Sequence, residues 1–211
     1  MKKKFNFKIK ELNENYYKRE LVEVVNLIKI ENTYSILSRL STSIIEDYLK
    51  IALSSKNILL FVLKKNTKII GFSLYAKNNQ NLIEDFKSIK FKILINLIFK
   101  FQFFSIINIL LAISKLDLIM INKKKISDID KSLNLNLLAI DKKFQSQGIG
   151  NIFLEKTNDI IYKNFFIFKS ITCEAPTLGA LNFYTKKNNF KFIGKKIRLG
   201  QNLFVLKKKY K

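Results

Sequence analysis

Apolar positions along this chain change their spacing several times, and each change marks an expected element. Phe5, Phe7 and Ile9 alternate with polar residues, so residues 4–12 are expected to form an opening strand. From residue 13 to about 40 the spacing becomes helical, with Leu21, Val24, Val25 and Ile28 on one face. A further helix is expected to run to residue 54 with Ile44, Ile45, Tyr48, Leu49 and Leu53 inward, capped by Ser41 or Ser43. Residues 58–63 and 68–75 are apolar runs on either side of Lys64-Lys65-Asn66-Thr67, the pattern of a β-hairpin.

Residues 78 to about 115 are rich in Phe, Ile and Leu and read as an insertion. The uncharged run from Phe101 to Ser114 is shorter than the roughly 20 residues that span a bilayer. Lys92, Asn96 and Lys100 make one polar stripe, and Gln102, Ser105 and Asn108 make another on a different face. Two short helices joined near residues 100–103 are therefore expected. Three readings compete: a helical lid packed over a site, which is preferred; a peripheral membrane contact through 91–114; and a true span. A short strand at 117–122 and a charged turn at 123–131 follow.

In the second half, Leu133, Leu135, Leu137, Leu138, Ala139 and Ile140 first alternate and then run together, which reads as a strand. Ile149, Ile152, Phe153, Ile160 and Ile161 return to helical spacing. A strand at 168–173 and a helix at 177–188 follow, with the lone proline, Pro176, at a tolerated position before that helix. Two last strands, 192–199 and 203–209, flank Gly200-Gln201-Asn202. No repeat or linker interrupts the pattern, so residues 1–211 are expected to form one domain with the insertion at about 78–115.

Composition removes several kinds of chemistry. There is no histidine, so Ser-His, Cys-His and His-metal sites are excluded, and no metal is expected. One cysteine, Cys173, cannot form an intramolecular disulfide and reads as a core filler in its strand. The basic opening lacks the apolar run of a signal peptide, and a cytoplasmic protein, membrane-associated if the insertion touches lipid, is expected. The formal charge of +23 invites a nucleic-acid reading. The lysines are spread along the chain, however, without an aromatic-interleaved basic motif, and A+T-rich codons supply Lys, Asn, Ile and Phe alike. Specific nucleic-acid binding is not expected.

Between the strand at 133–140 and its following helix lies Gln145-Ser146-Gln147-Gly148-Ile149-Gly150. A strand that feeds a glycine-bearing loop at a helix start suits an anion, because the first helical N–H groups lack internal partners and glycine lets backbone approach closely. The loop is neither a Walker loop nor G-x-G-x-x-G. The string Q-x-x-G-x-G after Leu-Leu-Ala-Ile-Asp resembles the coenzyme A loop of the GCN5-related N-acetyltransferases. Downstream, Ala180-Leu181-Asn182-Phe183-Tyr184-Thr185-Lys186-Lys187-Asn188-Asn189-Phe190 resembles the A-x-x-F-Y-x-K-x-G-F helix of the same family, with one residue more before the final Gly-Phe position. The hairpin pair with Ile69-Ile70-Gly71-Phe72 resembles its second and third strands, and the order strand, two helices, hairpin is also shared. Thr177 and Asn189 depart from the pattern, standing where Asn and Gly are usual.

The resemblance implies a mixed α/β fold. Its central sheet would be mostly antiparallel with one splayed parallel strand pair, flanked by helices. It implies an N-acetyltransferase that moves an acetyl group from acetyl-CoA to a primary amine by direct attack. Leu138, Ala139 and Ile140 would offer backbone groups to the pantetheine arm. Gln145, Ser146, Gln147, Gly148, Ile149, Gly150 and Asn151 would hold the pyrophosphate. Tyr184 would be the hydrogen-bond donor to the sulfur. The base stays open between Glu174 and a water relay, because Asn134 and Asn136 cannot take a proton and Asp141 points the wrong way if Ile140 faces inward. A weaker likeness to a bacterial subgroup of surface-polysaccharide biosynthesis implies an amino-sugar acceptor, nucleotide- or lipid-linked. Protein lysine or N-terminal acetylation and a catalytically degenerate binding module are the alternatives. Oligomeric state is not legible.

Overall fold

The structure is a computed structural model that describes residues 7–13, 15, 18–77, 87–100, 106–107, 132–164, 168–198 and 201–209. Its centre is a seven-stranded sheet: β1 (Phe7–Leu12), β2 (Ile58–Lys65), β3 (Lys68–Ala76), β4 (Leu133–Ile140), β5 (Ser170–Ala175), β6 (Lys191–Arg198) and β7 (Gln201–Lys209). Spatial order is β1-β2-β3-β4-β5-β7-β6. Every neighbouring pair is antiparallel except β4 with β5, which is parallel. The expected mixed sheet with one parallel pair is therefore present.

Helices cover both faces. On one lie α1 (Lys18–Glu31), α2 (Ile36–Arg39), α3 (Thr42–Ser54) and α4 (Lys87–Phe99). Val24, Val25, Ile28, Ile45 and Leu49 pack there on Leu60, Val62, Phe72, Leu74, Leu137 and Ala139. On the other lie α5 (Ile149–Asn164) and α6 (Leu178–Asn182), which runs on into a π-helical turn, Phe183–Lys187. Ile149, Phe153, Leu154 and Ile161 pack there on Leu59, Phe61, Leu133, Leu135 and Ile140. Phe153 is fully buried, and burying a side chain of that kind is worth about 1.5–3 kcal/mol.

β4 serves both faces because of one extra residue. Leu74 pairs with Leu137 and Tyr75 with Leu135, which leaves Asn136 as a bulge opposite no residue. The bulge reverses the strand's alternation. Leu133 and Leu135 face α5 before it, and Leu138 and Ile140 face α5 after it, while Leu137 and Ala139 face α1 and α3. That reversal is why the apolar run stops alternating at Leu137–Leu138.

Several expected boundaries move. The continuous helix over residues 13–40 breaks after Glu31, because Ser35 takes extended backbone and its hydroxyl accepts from Leu37 N–H, starting α2 afresh. Lys29 reaches back and donates to the carbonyls of Ser38 and Leu40 at 3.0 and 2.6 Å, fixing the break. β5 runs to Ala175 rather than stopping at Cys173, which brings Glu174 inside the strand. The helix expected at 177–188 is α-helical only to Asn182 and then widens. Ser41 is the N-cap residue of α3, yet its side chain makes no cap bond, and its N–H instead donates to Asn96 Oδ1 of α4 at 3.1 Å. The strand expected at 117–122 and the charged turn at 123–131 lie outside the described residues, as does most of the second insertion helix.

Candidate functional site

The parallel pair is short. Leu133, Asn134 and Leu135 of β4 pair with Ile171, Thr172 and Cys173 of β5, and the register ends there. β4 continues to Ile140 and β5 to Ala175, so the two strands part beyond Leu135 and Cys173. Below the parting they are tied by Asn134 Oδ1, which accepts from Thr172 Oγ1, and by the Ser132–Ser170 hydroxyl pair at 2.7 Å. Above it, the bulge at Asn136 bends β4 away.

Parting exposes backbone groups. Asp141 N–H donates to Ile70 O at 2.8 Å, so at that position β4 turns its polar groups toward β3. Alternation then aims those of Ala139 toward β3, opposite Phe72, and those of Leu138 and Ile140 into the gap. Of the three expected backbone contacts, two face the gap and Ala139 does not.

The loop follows directly. A single 3₁₀ turn, Lys142–Phe144, is started by Asp141, whose carboxylate accepts from Lys143 N–H at 3.0 Å. Asp141 also pairs with Lys68 of β3, its Oδ2 lying 3.6 Å from Lys68 Nζ. Ser146 and Gly148 adopt positive φ, 60° and 78°, and turn the chain into α5. Among the described residues, the N–H groups of Ser146, Gln147, Gly148, Ile149 and Gly150 have no hydrogen-bond partner. Pairing resumes at Asn151 and Ile152, which both donate to Gly148 O. A Cβ on Gly148 would meet nothing within 4 Å, so the loop opens outward there. Ile149 is buried as an anchor, while Ser146, Gln147 and Gly148 are exposed. A run of unpartnered N–H groups at the positive end of a sixteen-residue helix is an anion cradle.

A cleft of about 640 Å³ passes through the gap. Its lining includes Leu135, Asn136, Leu137 and Leu138 of β4, Gln145 of the loop, and Glu174 of β5. Pro176, Thr177, Ala180 and Tyr184 form one side, and Glu31, Asn32, Tyr34 to Leu37, Leu40, Tyr48 and Ile93 form much of the other. The cleft therefore opens toward both helical layers. Tyr34 belongs to this lining; Tyr16 and Tyr17 lie outside the described residues. Ile93 brings α4 into the wall.

Tyr184 sits in the π-helical turn, wedged between Phe183 and Phe190 with ring centroids 5.1 and 5.3 Å away. Burial pushes its hydroxyl well above the usual tyrosine range, helped by nearby Cys173 and Tyr75, so the proton stays on the oxygen at any ordinary pH. Its hydroxyl has no hydrogen-bond partner among the described residues. The turn is closed by Phe190 N–H donating to Tyr184 O at 3.1 Å and by Asn188 Nδ2 donating to Phe183 O at 2.9 Å. Asn189 stands at φ 59°, the left-handed conformation for which glycine is usual, so the replacement keeps the turn. Thr177 Oγ1 accepts from Ala180 N–H at 3.1 Å and starts α6.

Glu174 is half-buried and ion-paired with Lys196, which β6 carries into a buried position. Burial also raises Cys173 well above the usual thiol range, which suits a core filler and not a nucleophile. The pattern of the sequence did not mark Glu31 or Asn136. Asn136 was detectable as the point where alternation reverses; Glu31 was not, because the helix break that places it at an end has no local signal.

No protein-family model matches this sequence, and no curated protein matches it. Solved structures do match in fold. Arylalkylamine N-acetyltransferase 2 from Aedes aegypti aligns at a TM-score of 0.62 and 14% identity, over 97% of this chain and 99% of that one. The ribosomal-protein-S18-alanine N-acetyltransferase from Escherichia coli aligns at 0.56 and 12%, over 95% and 92%. A GNAT family acetyltransferase from Elizabethkingia anophelis with acetyl-CoA bound aligns at 0.51 and 15%, over 98% and 100%. The chain has the fold of the GCN5-related N-acetyltransferases.

Proposed function

We propose that this chain, which carries the acetyltransferase fold, moves an acetyl group from acetyl-CoA to a primary amine without a covalent enzyme intermediate. The observation that carries the reading is the run of unpartnered N–H groups from Ser146 to Gly150, set beside a parallel strand pair that parts. The chemistry of these groups fits the coenzyme. Backbone donors at a helix start take a pyrophosphate. The gap-facing N–H and C=O of Leu138 and the N–H of Ile140, whose carbonyl accepts from Gln145, match the amides of a pantetheine arm. The acetyl thioester then lies in the cleft between Tyr184 and the Glu31–Leu37 wall.

Transfer forms the amide C–N bond and breaks the thioester C–S bond. The amine gives up a proton and the leaving sulfur takes one. Tyr184 is proposed to donate a hydrogen bond to the leaving sulfur, since burial keeps its proton on the oxygen, and the thiolate takes its proton from solvent. Glu174 is proposed to accept the amine's proton, directly or through water. Its pairing with Lys196 holds it in position at the cleft wall. Tyr184→Phe is expected to lower turnover by about a hundredfold while acetyl-CoA affinity stays within about twofold. Unchanged turnover would remove Tyr184 from the mechanism. A wild-type protein that binds acetyl-CoA but releases no coenzyme thiol across a broad amine panel would favour the binding-module reading.

Amino sugars, free or carried on a nucleotide or lipid, belong in that panel. Asn32, Ser35 and Asn136 offer polar contacts for hydroxyls beside the apolar faces of Ile36, Leu37 and Leu40. Peptides ending in a free amine belong there too, because one structural neighbour acetylates a ribosomal protein.

A second reading concerns the partners of α4. Its inner side packs through Ile89 and Leu97, but Phe91 and Phe99 are 70% and 79% exposed, with Leu94, Ile95 and Ile98 also exposed. An apolar outer face on a protein of charge +23 suits peripheral contact with anionic lipid. No helix among the described residues is long and apolar enough to cross a membrane. Phe91→Asp is expected to abolish co-flotation with phosphatidylglycerol vesicles; absence of flotation by the wild type would remove this reading.

A further inference from the structure

Glu31 ends α1 with its charge at the unfavourable pole, since the last turn of a helix carries partial negative charge and repels an acid. It also has the wrong sign for a residue beside an anion cradle. Its contacts explain why an acid stands there. Oε1 accepts from Lys142 N–H at 3.0 Å, and Oε2 accepts from Gln145 Nε2 at 3.0 Å. Gln145 Nε2 spends its other hydrogen on Ile140 O, at 2.7 Å. Both carboxylate oxygens and both amide hydrogens are thus engaged, and Gln145 cannot turn away without breaking two bonds at once.

The loop's other side-chain contacts are local or run to the neighbouring hairpin. Asp141 holds Lys143 N–H at 3.0 Å and pairs with Lys68 of β3, Lys65 of β2 lies over the Phe144 ring, and Gln147 Nε2 donates to Lys143 O at 2.9 Å. Glu31 ties the loop to the helical layer instead, across 111 residues of sequence. The residues that follow it, Asn32 to Ser35, form the turn closed by Ser35 N–H on Asn32 O at 2.9 Å, and that turn lines the facing wall of the cleft. One carboxylate therefore joins the coenzyme loop to the wall opposite.

We propose that Glu31 is a positioning residue. It holds the loop from Lys142 to Gly150 in its anion-receiving shape through Gln145, and it keeps that loop in register with the Asn32–Ser35 wall. The inference rests on the acetyl-CoA reading of the loop. Glu31 touches no reacting atom in this account; it acts through Gln145 and the Lys142 amide.

The test is calorimetric titration of acetyl-CoA into the full chain as wild type, Glu31→Ala, Gln145→Ala, the double variant and Glu31→Gln, each with its thermal midpoint. Each alanine variant is expected to weaken binding by about tenfold, with the midpoint shifted by no more than about 2 °C. The double variant is expected to be within about twofold of the weaker single, because both substitutions break one linkage. Glu31→Gln keeps an acceptor for Lys142 N–H and is expected to restore part of the affinity. Unchanged affinity in Glu31→Ala, or losses that simply add in the double variant, overturns the proposal. So does an affinity loss that follows a falling midpoint and is not restored by glutamine, which marks a purely structural role. Failure of the wild type to bind acetyl-CoA overturns the coenzyme reading itself, and this inference with it.

Discussion

Tyr184 shows how a single side chain draws its properties from its surroundings. Two phenylalanine rings and a buried position keep water away, and removal of water disfavours the charged phenolate. Tyr48, Tyr75 and Cys173 are raised by burial in the same way. The sign of the linkage follows. In the native state these groups hold protons that the unfolded chain releases above its ordinary values of 9.0 for cysteine and 10.0 for tyrosine. Their contribution to stability is therefore complete below that range and declines as pH rises through it. Urea unfolding at neutral and alkaline pH is expected to show this decline, and Tyr184→Phe is expected to flatten it; an identical slope in the variant would contradict the burial account. Asn189 is a second residue-scale case. At φ 59°, Asn189→Ala is expected to cost about 1–2 kcal/mol in chemical denaturation, while Asn189→Gly costs nothing measurable.

At the scale of elements, the site depends on how β3, β4 and β5 meet. Gly71 of β3 lies opposite Ile140, where β4 ends and the loop begins. A Cβ there would come within 2.5 Å of Ile140 Cδ1 and 3.0 Å of Ala139 O. Gly71→Val is expected to destabilise the fold by about 1–3 kcal/mol and to weaken acetyl-CoA binding by displacing Ile140; wild-type affinity in a folded variant would show that this strand end does not set the loop. The order of elements and the loop itself were legible because alternation, helical spacing and a glycine-bearing turn are local signals. The Asn136 bulge was half legible: the run Leu137-Leu138-Ala139-Ile140 shows that alternation fails, yet only the register with β3 shows that one inserted residue is the cause. The break after Glu31 was hidden because Leu37 and Leu40 continue an apolar pattern across it, and the bonds that fix it come from Lys29 and Ser35 side chains. The tie between Glu31 and Gln145 has no sequence signal at that distance.

For the whole molecule, the two helical layers and the parting of one strand pair place an anion cradle and a two-sided cleft on the same line through the sheet. The charge of +23 acts over that entire surface and attracts any polyanion, so added salt is expected to weaken nonspecific association more steeply than binding in the loop. The central claim is that the Ser146–Gly150 cradle holds the phosphates of acetyl-CoA. Its most direct test is titration calorimetry of acetyl-CoA at moderate salt into the wild type and into Gly148→Glu, which places a negative charge in the open mouth of the loop. Saturable one-to-one binding by the wild type, abolished in the variant with the fold intact, is the predicted result. No saturable binding, or equal binding by both proteins, would contradict it.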